Sequence, residues 1–126
     1  MSASSKVTIL VVEDEVLVRL DLVAYLEDAG YRVVEAGSAR EAIEILEQDR
    51  SIRVVFTDVQ MPGDMDGLAL ARCVRERWPP TIIVVSSANT FDRDEAGADI
   101  HLLDKPYTVD HMKLVLEAVA DQLKAQ

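Results

Sequence analysis

Five short apolar runs alternate along the chain with segments whose apolar residues recur at helical spacing. The runs are too short for helices and rich in β-branched residues, so we expect them to be strands. They cover Val7–Val12, Tyr31–Ala36, Arg53–Thr57, Thr81–Val85 and Ile100–Leu103. Apolar runs alternating with helices are typical of a parallel sheet covered on both faces. The pattern therefore predicts one doubly wound α/β domain, with the less apolar second strand at an edge.

The segments between the runs have the apolar stripes and end signals of helices. Ser38, Asp66 and Thr108 are predicted N-caps, Ser38 together with Glu41 as a capping box, and Gly30 is predicted to end the first helix in a left-handed conformation. The predicted core stripes are Val18, Leu22, Tyr25, Leu26 and Ala29; Ala39, Ala42, Ile43 and Leu46; Leu70, Ala71, Val74 and Trp78; and Val109, Met112, Leu116, Val119 and Leu123.

Composition narrows the class of protein. A chain of 126 residues with 49% hydrophobic side chains is sized for one domain with a full core. No apolar run is long enough to span a bilayer and Met1–Lys6, which we expect to be disordered, lacks the apolar stretch of a signal peptide, so we expect a cytoplasmic protein without a membrane partner. The net charge of −10 argues against nucleic-acid binding. Cys73, the only cysteine, is predicted to be a small buried thiol.

Polar residues follow four of the five predicted strands. All strand carboxyl ends of a parallel sheet open on the same edge, so these side chains should converge. At ~4 Å and an effective dielectric of ~20, each pair of carboxylates repels by roughly 4 kcal/mol, which favours a bound cation. Oxygen ligands without histidine or cysteine suit Mg²⁺, and a lysine and a hydroxyl complete what phosphoryl transfer needs. The converging residues are Glu13, Asp14, Asp58, Ser86, Ser87 and Lys105.

Four motifs in this order resemble one family. They are the acidic pair Glu13-Asp14, the D-x-x-M-P segment from Asp58 followed by M-D-G, the hydroxyl of Ser86, and Lys105-Pro106. Over residues 7–123 the chain resembles the receiver domains of bacterial two-component response regulators. The resemblance implies a single receiver domain over residues 1–126, with a flavodoxin-like parallel sheet of strand order 2-1-3-4-5.

The resemblance also implies roles for residues. Asp58 would accept a phosphoryl group from the phosphohistidine of a histidine kinase or phosphotransfer protein. Asp14 would bind Mg²⁺ directly, Glu13 mainly through water, and the backbone carbonyl of Gln60 would complete the protein ligands.

The remaining positions concern the transmission of the signal. The resemblance gives Ser86 the switch-hydroxyl position and Lys105 the role of the family's invariant lysine, with a cis bond before Pro106. The switch position on the fifth strand, usually aromatic, falls on Leu102, or on His101 if the register slips. His101 is otherwise expected to be structural or solvent-facing, as is His111.

The chain departs from the family's pattern in two loops. The turn at residues 61–67 carries one extra residue, which should bulge the loop without moving Asp58. The span from Ser86 to Gly97 is short, so that Asn89–Gly97 leaves room for at most about two helical turns. We therefore hypothesise signalling by loop rearrangement and a reshaped partner surface. Ala88 offers no group to orient an attacking water, so the phosphorylated state should not be unusually short-lived.

Several alternatives remain open on sequence alone. Glu13 and Asp14 could merely cap the first helix, and Lys105 could be a solvated surface lysine. A dehalogenase-like phosphohydrolase is a second function, although its D-x-D motif is replaced here by Glu13-Asp14-Glu15. A pseudo-receiver and a flavodoxin-like electron carrier are less favoured. For the leading interpretation, the output is contact with an unidentified downstream protein, with homodimerisation possible and no external substrate.

Overall fold

The computed structural model describes residues 6–61, 63, 65–87 and 100–126. The predicted strands are confirmed, each end lying within two residues of its predicted position. The predicted short helical segment at 89–97, together with Ala88, lies outside the described residues. In chain order the elements are β1 (Thr8–Val12), α1 (Val16–Asp28), β2 (Arg32–Ala36), α2 (Ala39–Gln48), β3 (Ile52–Asp58), α3 (Gly67–Arg77), β4 (Ile82–Ser87), β5 (His101–Asp104) and the C-terminal helix α4 (Val109–Ala125).

The five strands form one sheet in the order β2-β1-β3-β4-β5, and every neighbouring pair is parallel. The predicted flavodoxin-like α/β fold is therefore confirmed. β2 lies at an edge, as its lower apolar content predicted. The central strands β1 and β3 are buried along almost their whole length because helices cover both of their faces.

The sheet separates two apolar cores. Side chains alternate along each strand, so that Leu10 and Val55 face one core while Ile9 and Phe56 face the other. The α2–α3 core consists of Leu10, Val12, Ala36, Ala39, Ala42, Leu46, Ile52, Val55, Val59, Met61, Leu68, Leu70, Ala71, Val74, Ile83, Val85 and Ile100. The α1–α4 core consists of Ile9, Val11, Leu22, Val23, Leu26, Val54, Phe56, Ile82, Val84, Leu103, Met112, Val115 and Val119.

All three predicted N-caps are confirmed, and Gly30 has the predicted left-handed backbone, with φ of 101°. The capping box is only half formed, because Glu41 accepts a hydrogen bond from the N–H of Gly37 at 2.5 Å rather than from Ser38. Each cap accepts a hydrogen bond from the backbone N–H three residues on: Ser38 from Glu41 at 3.1 Å, Asp66 from Ala69 at 2.9 Å and Thr108 from His111 at 3.0 Å.

The predicted stripes need correction at two positions, Ala29 and Val109, because both side chains are exposed, Val109 by 61%. Ala29 is exposed because α1 ends at Asp28. Val23, which was not in the predicted stripe, is buried. Trp78 is half-buried at the C-cap of α3, with the guanidinium carbon of Arg77 4.3 Å from the ring centroid. Cys73 is partly exposed rather than buried. Within the described part of the chain, none of the helices has the length and apolar character needed to cross a membrane.

Candidate functional site

Strand β3 delivers Asp58 to the carboxyl edge of the sheet. Asp58 is the last residue of a buried strand and is itself 8% exposed. It lies in register with Ser86 on the neighbouring strand β4, and Ser86 is also buried. Parallel strands place paired side chains on the same face of the sheet, so Ser86 and Asp58 share one face at this edge.

Strand β1 brings two further carboxylates to this edge. The N–H of Glu13 donates to the carbonyl of Ala36 at 3.0 Å, one residue beyond the end of β1. One carboxylate oxygen from each of Glu13, Asp14 and Asp58 lies within 4.8 Å of the other two. The predicted convergence of the three carboxylates is therefore present, and their oxygen donors fit a hard divalent cation.

The helix-capping alternative for the acidic pair does not describe this arrangement. The N-cap residue of α1 is Glu15, and its side chain makes no capping hydrogen bond. Glu13 instead accepts a hydrogen bond from the N–H of Glu15 at 3.1 Å, within the loop that precedes the helix.

Lys105 reaches the carboxylates from the end of β5. Its Nζ donates to Oδ2 of Asp58 at 2.8 Å and lies 3.9 Å from Oε1 of Glu13. Burial opposes the charged form of this lysine, but the hydrogen bond and charge of Asp58, with the charge of Glu13, raise its pKa above the ordinary value. The alternative of a solvated surface lysine is therefore wrong. The peptide bond to Pro106 is cis, as predicted.

The carboxyl group of Glu13 has a strongly raised pKa. Burial is the largest cause, and it raises the pKa of Glu13 from 4.5 to about 7. The N–H of Glu15 lowers the pKa, Asp58 and Asp14 raise it, and the charge of Lys105 lowers it. A bound cation would favour the ionised form of Glu13 in the same direction as Lys105 does.

The predicted ligand Gln60 lies two residues beyond Asp58. Its backbone N–H is 3.3 Å from Oδ1 of Asp58, a long hydrogen bond that orients the Asp58 carboxylate. The predicted role of its carbonyl as a metal ligand stays a prediction.

The two switch candidates on β5 point to opposite faces of the sheet. Leu102 is partly buried against the α2–α3 core and lies in register with Val85. Nε2 of His101 is 2.7 Å from Oε1 of Gln122, so the imidazole is hydrogen-bonded to α4. His101 therefore has a structural contact, as expected, while the switch role of either residue stays a prediction.

Two residues that shape the site were not predicted. Gly67 begins α3 against the backbone of β3: its N–H donates to the carbonyl of Val59 at 2.8 Å, and a Cβ there would overlap the carbonyl of Asp58. Arg19 of α1 donates to the carbonyl of Glu13. The M-D-G motif was a signal for Gly67, whereas the sequence carries no local signal for the contact of Arg19.

Comparison with known sequences gives the family. The profile of the family described as "Response regulator receiver domain" matches residues 9–117. The chain is 36% identical to the sensor kinase CckA of Brucella abortus over 98% of its own length but only 13% of the kinase. It is 31% identical to the transcriptional regulatory protein PdtaR of Mycobacterium tuberculosis over 92% of its length and 58% of the regulator. The chain thus spans between an eighth and three fifths of these two relatives.

Solved structures agree with the sequence comparison. A response regulator receiver protein from Sinorhizobium medicae is 32% identical, with a TM-score of 0.84 over 93% of this chain and 96% of that one. The response regulator TrrA of Thermotoga maritima, solved in complex with Mg²⁺-BeF, is 27% identical, with a TM-score of 0.81 over 90% of this chain and 98% of TrrA. With its bacterial relatives, strand order and acidic pocket, the chain belongs to the response regulator receiver domains of two-component systems.

Proposed function

We propose that this chain is a phospho-accepting receiver domain in which Asp58 takes a phosphoryl group from a histidine kinase or a histidine phosphotransfer protein. The observation that carries the proposal is the contact of Asp58 with Lys105 at 2.8 Å inside a cluster of three carboxylates. A buried carboxylate with a cation on one oxygen and two acidic neighbours is suited to act as a nucleophile toward phosphorus.

In the transfer, one bond to phosphorus forms and one breaks. A carboxylate oxygen of Asp58 bonds to phosphorus while the phosphorus–nitrogen bond of the donor phosphohistidine breaks. The imidazole nitrogen keeps the electron pair of that bond, and the proton on the other ring nitrogen of the donor makes the leaving histidine a neutral imidazole. The ammonium of Lys105 balances charge on the phosphoryl oxygens, and the Ser86 hydroxyl donates a hydrogen bond to one of them.

Magnesium is the cofactor that the pocket suits. Asp14, Asp58 and the carbonyl of Gln60 would hold it, with Glu13 acting mainly through water. When bound, Mg²⁺ offsets the charge of the carboxylates and of the incoming phosphoryl group. TrrA, a structural relative, was solved with Mg²⁺-BeF, which supports this assignment by similarity.

The output of the domain would be protein contact. The chain would catalyse only its own phosphorylation and slow dephosphorylation, and it would signal to a downstream protein or through a homodimer. Leu102 at the switch position cannot rotate an aromatic ring, so loop rearrangement would convey the change. Structures with and without a phosphoryl mimic test this: an unchanged partner surface around β5 and α4 would contradict it.

Labelling by a small phosphodonor tests the assignment of Asp58. We expect Mg²⁺-dependent labelling of the wild type by acetyl phosphate, abolished in Asp58→Asn and by a chelator. Asp66→Asn is the matched control, because it removes a nearby carboxylate while asparagine still caps α3. Labelling that persists in Asp58→Asn would overturn the assignment. A wild type that neither acetyl phosphate nor a histidine kinase labels would indicate a pseudo-receiver.

A further inference from the structure

Arg19 connects α1 to the loop that carries the acidic pair. Its side chain is 19% exposed, and Nη1 donates to the backbone carbonyl of Glu13 at 2.7 Å. Nε of the same guanidinium donates to Oε1 of Glu35 at 3.1 Å, next to the end of β2. One side chain thus spans three elements beside the carboxylate cluster.

Arg19 binds the Glu13 carbonyl just beyond the last residue of β1 that pairs with β2. Pairing of β1 with β2 ends at Val12 and Ala36, and the N–H of Glu13 makes one further bond, to the carbonyl of Ala36. Beyond that point Arg19 supplies the partner for the Glu13 carbonyl. Both peptide groups of Glu13 are therefore held, and the carbonyl is turned toward Arg19.

We propose that Arg19 is a positioning residue for the metal site: it fixes the peptide between Glu13 and Asp14 so that both carboxylates face Asp58. This inference rests on the proposed function in taking the bound ion to be Mg²⁺. Arg19 acts through a backbone carbonyl and contacts no carboxylate of the cluster, so its effect is on geometry. Its charge is balanced by Glu35 on the far side.

The neighbourhood of the guanidinium is shaped for this contact. A Cβ at Gly37 would lie 3.3 Å from Nη1 of Arg19, so the glycine leaves room for the planar group. The forked guanidinium presents Nε and Nη1 to two acceptors at once, whereas a lysine ammonium has a single nitrogen. Lysine should therefore keep the charge but lose the positioning.

Calorimetric titration with Mg²⁺ tests the inference on wild type, Arg19→Gln and Arg19→Lys. We expect the Kd for Mg²⁺ to rise about 10-fold or more in both variants, the usual consequence of removing a partner that orients ligands. Arg77→Ala is the matched control, because it breaks an ion pair with Glu47 of 2.8 Å that joins α2 and α3 elsewhere. We expect it, like the Arg19 variants, to lower the melting temperature without Mg²⁺, yet to keep the wild-type Kd.

The possible results separate this inference from the proposed function. A Kd within twofold of wild type in Arg19→Lys overturns the inference and leaves the proposed function standing. Equal weakening in Arg77→Ala also overturns it, because the effect would then follow from stability alone. A wild type that binds no Mg²⁺ overturns the proposed metal site itself, and the role of Arg19 with it. Arg19→Lys keeps the test open if Arg19→Gln does not fold.

Discussion

At the scale of single residues, burial and charge act together on the carboxyl group of Glu13. It is 4% exposed, it lies near two other carboxylates, and its cationic neighbour Lys105 is 3.9 Å away and bonded more closely to Asp58. Burial therefore dominates, and the pKa of Glu13 rises to about 7. Near neutral pH Glu13 is therefore partly protonated in the metal-free domain, and a bound cation would favour its ionised form.

This predicts how the stability of the metal-free protein depends on pH. Glu13 has a pKa of 4.5 when unfolded and about 7 when folded, so the folded state binds more protons between these values. Its contribution to the free energy of unfolding is fully present below pH 4.5, falls as the pH rises to 7, and is constant above that. Urea unfolding in a chelator should show this decline in wild type and a flatter profile in Glu13→Gln. A wild-type-to-variant difference that is the same at pH 5 and pH 8 would contradict it.

The residues of the site were predictable to different degrees. Asp14, Asp58 and Lys105 were identified because each follows an apolar run, and the topology of a parallel sheet then brings strand ends together. The contacts of Arg19 were not predicted. They depend on the position of β2 beside β1, which is a tertiary feature that local sequence does not give. The Glu41 carboxylate was predicted to accept a hydrogen bond from the N–H of Ser38 but accepts one from the N–H of Gly37. The capping motif does not specify the conformation of the loop between β2 and α2.

At the scale of elements, the contact between β3 and α3 fixes the backbone at Asp58. Asp66 caps α3, and Gly67 then brings the first turn of the helix onto the backbone of Asp58 and Val59. The start of this helix was predictable from the Asp66 cap, but the closeness of its approach was not. Boundaries of the helices and strands followed from local signals, whereas packing distances depend on elements far apart in sequence.

Substitution of Gly67 by alanine tests that contact. The new Cβ would overlap the Asp58 carbonyl and lie 2.8 Å from Cα of Val59, so backbone must shift. We expect a loss of about 1–3 kcal/mol in the free energy of unfolding, typical of overpacking, together with weaker phosphorylation of Asp58. Gly37→Ala is the comparison for stability, because its new Cβ would meet only the far ends of two side chains, Arg19 at 3.3 Å and Glu41 at 3.7 Å. Equal stability losses in the two variants would contradict the assigned contact.

At the scale of the whole molecule, net charge and fold act together at the carboxyl edge. The chain carries a formal charge of −10, and the sheet gathers three carboxylates in one pocket. The strand order was implied by the resemblance to receiver domains, since periodicity alone predicts a parallel sheet without its order. The segment at 88–99, where the chain departs from the family's length, lies outside the described residues.

Magnesium should stabilise the whole domain, because the ion binds only when the three carboxylates are brought together by folding. At a concentration 100 times its Kd, a ligand adds about 2.7 kcal/mol to the free energy of unfolding, and the melting temperature should rise by roughly 10 °C. Differential scanning calorimetry at increasing Mg²⁺ measures the shift, and Asp14→Asn should largely remove it. An equal rise in Asp14→Asn would mean that Mg²⁺ binds elsewhere.

The sheet also acts as a partition between the two cores. Val55 and Phe56 are adjacent in sequence, yet one contacts only the α2–α3 core and the other only the α1–α4 core. Substitutions on opposite sides share few neighbours, so their effects on stability should combine additively. Over evolutionary divergence, either side can be repacked to suit a new partner while the other is left alone. The pocket at the carboxyl edge differs, because elements from both sides of the sheet support it and substitutions on either side can affect it.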